Sequence, residues 1–180
     1  MTELYGGCSF YQYSPLPSEK FIRILELHPG HASENIDCTL HQTELDNAPK
    51  YEAISYAWGD LENKINVLCD GKIIMVTQNL KDALLRFRLK DRSRIVWADA
   101  ICINQNDVVE KGSQVKLMNR IYGNATTVCV WLGCTTLQMQ PAFELIDKMV
   151  SYTSTRSARK SLHINNIKPF FNNVKLHRQN

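Results

Sequence analysis

The sequence predicts an α/β domain with three layers, a mainly parallel sheet, a β-hairpin insertion and an N-terminal β arm. Residues 94–133 predict a strand, a polar loop, a helix and a second strand. Strands that alternate with helices are typical of βαβ units, whose strands are parallel. Two apolar runs flank Asp70 and Gly71, and this pattern predicts a hairpin within the same domain.

Length and composition indicate a single domain. The 180 residues are 44% hydrophobic and 22% charged, which is typical of one well-buried globular domain. No apolar run approaches the roughly 18 residues of a membrane span, and no basic segment precedes an apolar core near Met1. The six cysteines form no Cys-x-x-Cys pair, so we predict reduced core cysteines and no metal site. We expect a cytoplasmic protein.

The end of the chain is basic. After Asp147 there is no acidic residue but there are seven basic ones: Lys148, Arg156, Arg159, Lys160, Lys168, Lys175 and Arg178. Such a tail can bind nucleic acid. We do not expect it here, because the charges are spread out with little aromatic interleaving for base stacking. Residues 151–180 are predicted to be a poorly ordered tail.

The first half of the chain is predicted to be mostly β. Residues 1–20 contain Gly and Pro pairs and predict an irregular arm. Residues 21–27 and the alternating segment around Cys38 predict two strands that pair as a hairpin with a long loop. Residues 51–59 predict a central strand, and residues 65–68 and 72–76 predict the inserted hairpin.

Helices and strands are predicted to alternate after that hairpin. Asn79 is a candidate N-cap, with Asp82 three residues on as in a capping box. The following helix has one apolar stripe, formed by Leu80, Ala83, Leu84 and Phe87. Residues 94–103 predict a strand buried on both faces. A helix is predicted from Val108 to Gly123 and Asn124, then a strand over 126–132 and a helix over 141–150.

Polar residues follow the two predicted central strands. If the strands of residues 51–59 and 94–103 lie side by side and parallel, their carboxyl ends meet at one crevice. The residues that would line it are Ser55, Trp58, Gly59, Asp60, Asp99, Asn104, Gln105 and Asp107. Aromatic, amide and acidic groups together could hold a ribose or a nucleotide base. The alternatives are structural: Asp99 braces a loop, and Glu110 stabilises a helix N-terminus.

Several separated motifs resemble the fungal heterokaryon incompatibility (HET) domain. They are residues 51–60, 77–84, 97–105, 114–115, 121–122 and 130–133, with Met118 and Ala125. The likeness covers about residues 12–150 and implies an α/β domain over 21–150. It also implies a fungal protein of non-self recognition whose domain triggers programmed cell death. Its partners would be other HET or signalling domains, and it would require no cofactor.

The HET domain is itself similar to TIR domains, which implies a TIR- or flavodoxin-like sheet. Some TIR domains cleave NAD at the nicotinamide–ribose bond with a glutamate, so the resemblance leaves enzyme activity open. NAD would then be a substrate, with Glu110 and Glu144 as candidate catalytic acids. HET chains usually continue into a Trp-rich segment that ends in Gln-Glu. Residues 168–171 resemble the approach to it, and its absence implies a truncated or inactive copy.

Overall fold

The computed structural model describes residues 7–133 and the strand Val174–His177. The described strands are β1 Phe21–Leu27, β2 Asp37–Glu44, β3 Glu52–Tyr56, β4 Lys64–Cys69, β5 Lys72–Thr77, β6 Arg94–Trp97, β7 Thr127–Trp131 and β8 Val174–His177. The helices are α1 Gln78–Phe87, α2 Asp99–Cys102 and α3 Val108–Asn124, and Leu45–Asn47 forms a short 3-10 turn. The strands make one sheet in the order β5-β4-β2-β1-β6-β3-β7-β8.

The centre of the sheet is parallel, as the sequence predicts. Strand β3 lies between β6 and β7, and Ala53 is the register partner of both Trp97 and Val128. Helix α3 connects β6 to β7. The strands that end near Trp58 and Trp97 are therefore neighbours that point the same way.

The sheet as a whole is mixed, so the prediction of a mainly parallel sheet is wrong. Each hairpin, β1–β2 and β4–β5, is antiparallel, because a direct reversal of the chain can pair strands only in that way. The predicted N-terminal β arm is part of this sheet, since β1 pairs antiparallel with β6 through Leu25 and Val96. Strand β1 is buried from Ile22 to Leu25, which places it in the sheet interior.

The two longer helices lie on opposite faces at the sheet centre. Tyr122 of α3 packs edge-to-face on Trp97 with ring centroids 5.5 Å apart. Phe87 of α1 packs in the same way on Trp131, at 6.4 Å. Register and strand alternation place the two tryptophans on opposite faces. The predicted apolar stripe of α1 is confirmed, because all four of its residues are buried.

The predicted strand over 94–103 is too long. Strand β6 ends at Trp97, and the next residues form the single turn α2, in which Cys102 donates its backbone N–H to Ala98 at 2.8 Å. Ile101 and Cys102 are buried within this turn. Short apolar runs in buried strands and in buried helical turns have the same composition. The run over 94–103 contains one of each.

The predicted cap of α1 is also wrong. Thr77 is the N-cap, and its hydroxyl accepts a hydrogen bond from the backbone N–H of Leu80. Asn79 instead donates from its amide to the carbonyl of Ala57 and accepts a bond from Trp131 Nε1 at 2.8 Å. Long-range partners therefore occupy the side chain that the local pattern assigned to the cap.

Two further predicted elements have different outcomes: one is confirmed, and one falls on residues that the structure does not describe. The inserted hairpin is confirmed, with Asp70 at φ 53° and Gly71 at φ 69° in its turn. The predicted helix over 141–150, with Glu144, lies outside the described residues. Strand β8, which pairs parallel with β7, lies within the segment 151–180 that is predicted to be a poorly ordered tail, and the rest of that segment lies outside the described residues. No helix in the described part is long and apolar enough to cross a membrane.

Candidate functional site

The residues predicted to line a crevice follow the carboxyl ends of two neighbouring parallel strands, β3 and β6. The chain leaving β3 returns to β6 through α1, on the face that carries Trp131. The chain leaving β6 returns to β7 through α3, on the face that carries Trp97. Open α/β sheets bind ligands at the carboxyl ends of their parallel strands.

Three of the predicted residues are in direct contact at this edge. Trp58 Nε1 donates to Asp99 Oδ2 at 2.9 Å, and Gln105 Nε2 donates to the Asp99 carbonyl at 2.8 Å. The other carboxylate oxygen of Asp99 accepts the backbone N–H of Ala100 at 2.8 Å. Asp99 therefore connects the loop after β3 to the loop before α3.

The cluster extends to residues that the sequence did not single out as site residues. The Lys111 ammonium lies 6.0 Å from the Trp58 ring centroid. Burial raises the pKa of Tyr56 well above its usual value, and the nearby Asp99 carboxylate adds to this rise. Burial likewise raises the pKa of Tyr122 to about 12. Both hydroxyls are thus protonated at neutral pH. Gln105 Oε1 is a buried acceptor without a partner in the described part of the chain.

The other predicted residues serve local structure or make no side-chain bond to the cluster. Asp60 accepts the backbone N–H of Glu62 in a surface turn. Asp107 is the N-cap of α3 and accepts the N–H groups of Val109 and Glu110, both at 2.9 Å. The remaining three lie nearby along the chain: Ser55 is half-buried in β3, Gly59 has a positive φ, and Asn104 Oδ1 accepts the N–H of Asn106.

Glu110, one of the two predicted catalytic acids, forms a buried ion pair. Its two carboxylate oxygens accept bonds from Arg23 Nη1 and Nη2 at 2.6 and 2.9 Å. Oε1 also accepts the backbone N–H of Asn104 at 2.7 Å. Arg23 is 1% exposed and also bonds the carbonyls of Ser14 and Cys102. The signal for Arg23 in the sequence is a charged residue with an apolar residue on either side, Ile22 and Ile24.

Exposed apolar side chains lie beside this hydrogen-bonded cluster. Val108 and Val109, in the first turn of α3, are 83% and 80% exposed, and Leu61 in the loop after β3 is 51% exposed. Exposed apolar residues mark a contact surface when they form a contiguous patch, whereas single ones are ordinary. The carboxyl edge thus combines polar groups that mostly bond each other with exposed apolar side chains.

Two grooves in the described part of the chain lie away from this edge. One, of about 460 Å³, is formed by the N-terminal arm and strands β1, β2 and β5 near Tyr11, Leu40 and Asp70. The other, of about 380 Å³, lies at the amino ends of β3 and β6 near Lys50 and Arg92. Neither groove is lined by the predicted ligand-binding residues. No group of three His, Cys, Asp or Glu side chains among the described residues is arranged to hold a metal ion.

Comparison with known protein families identifies the family of this chain. The chain belongs to the heterokaryon incompatibility (HET) family, whose model matches residues 51–178. A curated relative is heterokaryon incompatibility protein 6, OR allele, of Neurospora crassa, which is 36% identical over 129 residues. The match covers 62% of this chain and 18% of the relative. No solved structure matches the chain.

Proposed function

We propose that this chain acts in fungal heterokaryon incompatibility, as a cytoplasmic module that recognises non-self and triggers programmed cell death. Membership of the HET family carries this proposal, and the Neurospora crassa relative is a heterokaryon incompatibility protein. The module would act by association with other HET or signalling domains rather than by chemistry on a small molecule.

The state of the carboxyl edge supports association. The polar groups of Trp58 and Asp99 bond each other, and Asp107 is used as a helix cap. The buried polar atoms at this edge without a partner in the described part of the chain are Gln105 Oε1 and the Tyr56 hydroxyl. Val108 and Val109 are left exposed beside them. A protein partner that covers such residues gains the free energy of removing apolar surface from water.

Inducible expression in a filamentous fungus tests the proposal. We expect induction of the chain to kill cells, and we expect Val109→Asp to relieve this toxicity. A buried charge opposes association, and loss of a hot-spot contact of about 2 kcal/mol corresponds to a roughly 30-fold weaker complex. Asp in the first turn of α3 also suits the helix dipole, so folding should be kept.

Met75→Asp is the matched control, because Met75 is half-exposed on β5, away from this edge. It should leave the toxicity unchanged at equal protein level. Absence of toxicity from the wild-type chain would contradict the proposal. Equal relief by Val109→Asp and Met75→Asp would contradict the assigned surface.

A TIR-like fold and NAD cleavage stay predictions of the family resemblance, and no contact described above favours them. Glu110 is held by Arg23, and Glu144 lies outside the described residues. Release of nicotinamide from NAD by the purified chain would establish the activity. Its loss in Glu144→Gln, with folding unchanged, would assign the catalytic acid.

A further inference from the structure

The β4–β5 hairpin is joined to the rest of the sheet by a short junction. Strands β2 and β4 share two register pairs, Asp37 with Leu68 and Cys38 with Cys69. Two backbone hydrogen bonds complete this junction: the Leu68 N–H donates to the Ile36 carbonyl at 3.0 Å, and the Asp70 N–H donates to the Cys38 carbonyl at 2.9 Å. The hairpin in turn contacts the irregular segment that precedes β1, because Phe10 forms a β-bridge with Ile73 of β5.

Two cysteines face each other at this junction. Register partners on neighbouring parallel strands point to the same face, and such strands lie about 4.8 Å apart. This spacing is within the roughly 4.4–6.8 Å between Cα atoms that a disulfide needs. Both side chains are fully buried. A hydrogen bond with the Cys69 thiol, together with burial, raises the pKa of Cys38.

The other described cysteines occupy different surroundings. Cys8 is exposed. Cys102 accepts the backbone N–H of Ala98 in α2, and the Cys129 thiol donates to Glu52 on β3. Among the strand pairings of the described residues, Cys38 with Cys69 is the cysteine–cysteine register pair.

We propose that Cys38 and Cys69 form an oxidative modification site, in which a peroxide converts the two thiols to a disulfide that fixes the hairpin to the sheet. One thiol loses its proton and attacks the peroxide as the thiolate, so that an S–O bond forms, the O–O bond breaks and the departing hydroxide takes up that proton as water. The second thiol loses its proton and attacks that sulfur, so that the S–S bond forms, the S–O bond breaks and the departing hydroxide takes up the second proton as water. The two sulfurs are oxidised by two electrons in total, and one peroxide is reduced to two waters.

Burial sets the rate of this reaction. Because thiolates are the reactive form and buried thiols stay protonated, oxidation proceeds when the junction opens. The groove of about 460 Å³ is lined in part by Asp70, whose Oδ2 lies 3.9 Å from Cys69 Sγ, so one end of the groove lies near the junction. Low concentrations of urea, which favour local opening, should accelerate the reaction.

Peptide mapping of the oxidised full-length chain tests the proposal without any substitution. After treatment with hydrogen peroxide and blocking of residual thiols, trypsin should yield peptides 24–50 and 65–72 joined by a reducible bond. The oxidised chain should also show a higher Tm than the reduced chain, because the cross-link restricts the unfolded state. Dithiothreitol should reverse both changes.

Matched cysteine variants sharpen the test. Cys69→Ala should abolish the linked peptides and the rise in Tm, whereas Cys129→Ala should keep both. Linkage of either peptide to one that contains Cys8 or Cys102, or oxidation of Cys38 and Cys69 to separate sulfinic acids under mild urea, would overturn the proposal. The mapping alone decides the matter if Cys69→Ala fails to fold.

Discussion

At the scale of the residue, one buried charge organises the part of the fold that surrounds the site. Arg23 lies in the middle of an apolar strand and is 1% exposed. Its guanidinium holds the N-terminal arm at Ser14, α2 at Cys102 and α3 at Glu110. Because Glu110 also holds the backbone of Asn104, this ion pair positions the loop that follows α2.

Replacing one partner of this ion pair should lower the free energy of unfolding far more than replacing both. Arg23→Leu leaves the Glu110 carboxylate buried without a counter-ion, which typically costs about 3–5 kcal/mol of unfolding free energy. The double variant Arg23→Leu/Glu110→Leu should recover most of that loss. Urea denaturation of the three proteins measures the difference. A loss below about 1 kcal/mol in the single variant would contradict the assigned role.

Sequence patterns singled out neither Arg23 nor its pairing with Glu110. Arg23 and Glu110 are 87 positions apart, and no local pattern connects residues at that distance. Asn79 was misassigned for the same reason, since its partners Ala57 and Trp131 lie on two other segments. The sequence placed Asp99 within a strand over 94–103, whereas in the structure β6 ends at Trp97 and Asp99 is the first residue of α2.

At the scale of the element, predictions succeeded where one periodicity continued over many residues. Helix α3 and the hairpin β4–β5 agree with the predicted ranges, since caps, glycines and alternation are local signals. The prediction of one strand over 94–103 was wrong, because the four residues of β6 are followed by the buried helical turn α2. In so short a run the helical and extended patterns are the same.

The cap of α3 gives a prediction at this scale. Asp107→Ala removes the carboxylate that accepts the N–H groups of Val109 and Glu110, which should cost about 1 kcal/mol of unfolding free energy. Asn106→Ala is the control, because the adjacent exposed Asn106 contributes only its backbone N–H to a bond with Asn104. Thermal or urea unfolding measures both variants. Equal losses in the two would show that the cap contributes nothing.

At the scale of the whole molecule, the sequence predicted the parallel centre of the sheet and the two hairpins, but not how the hairpins join that centre. A helix between two strands implies that they are parallel, and β3, β6 and β7 follow this rule. Nothing local specifies that β1 pairs with β6, or that β2 meets β4 at two positions. These contacts depend on how two separate hairpins pack together, and periodicity carries no information on that.

Buried thiol and phenol groups should lower the stability of the whole fold at high pH. Burial raises the pKa of Cys102 from 9.0 to about 12 and that of Tyr51 from 10.0 to about 12. A raised pKa means that the unfolded chain loses these protons first, so stability is complete below pH 9 and falls as pH rises toward 12. Urea titrations across this range measure it. Constant or increasing stability would contradict the burial of these groups.

The most direct test of the account is cell survival after induced expression of the full chain in a fungal host. Wild-type protein should kill the cells. Trp58→Ala, which removes both the ring and the bond to Asp99 at the carboxyl edge, should spare them at the same protein level. Survival of cells that express the wild-type chain, or equal killing by Trp58→Ala, would contradict the claim that this edge carries the incompatibility function.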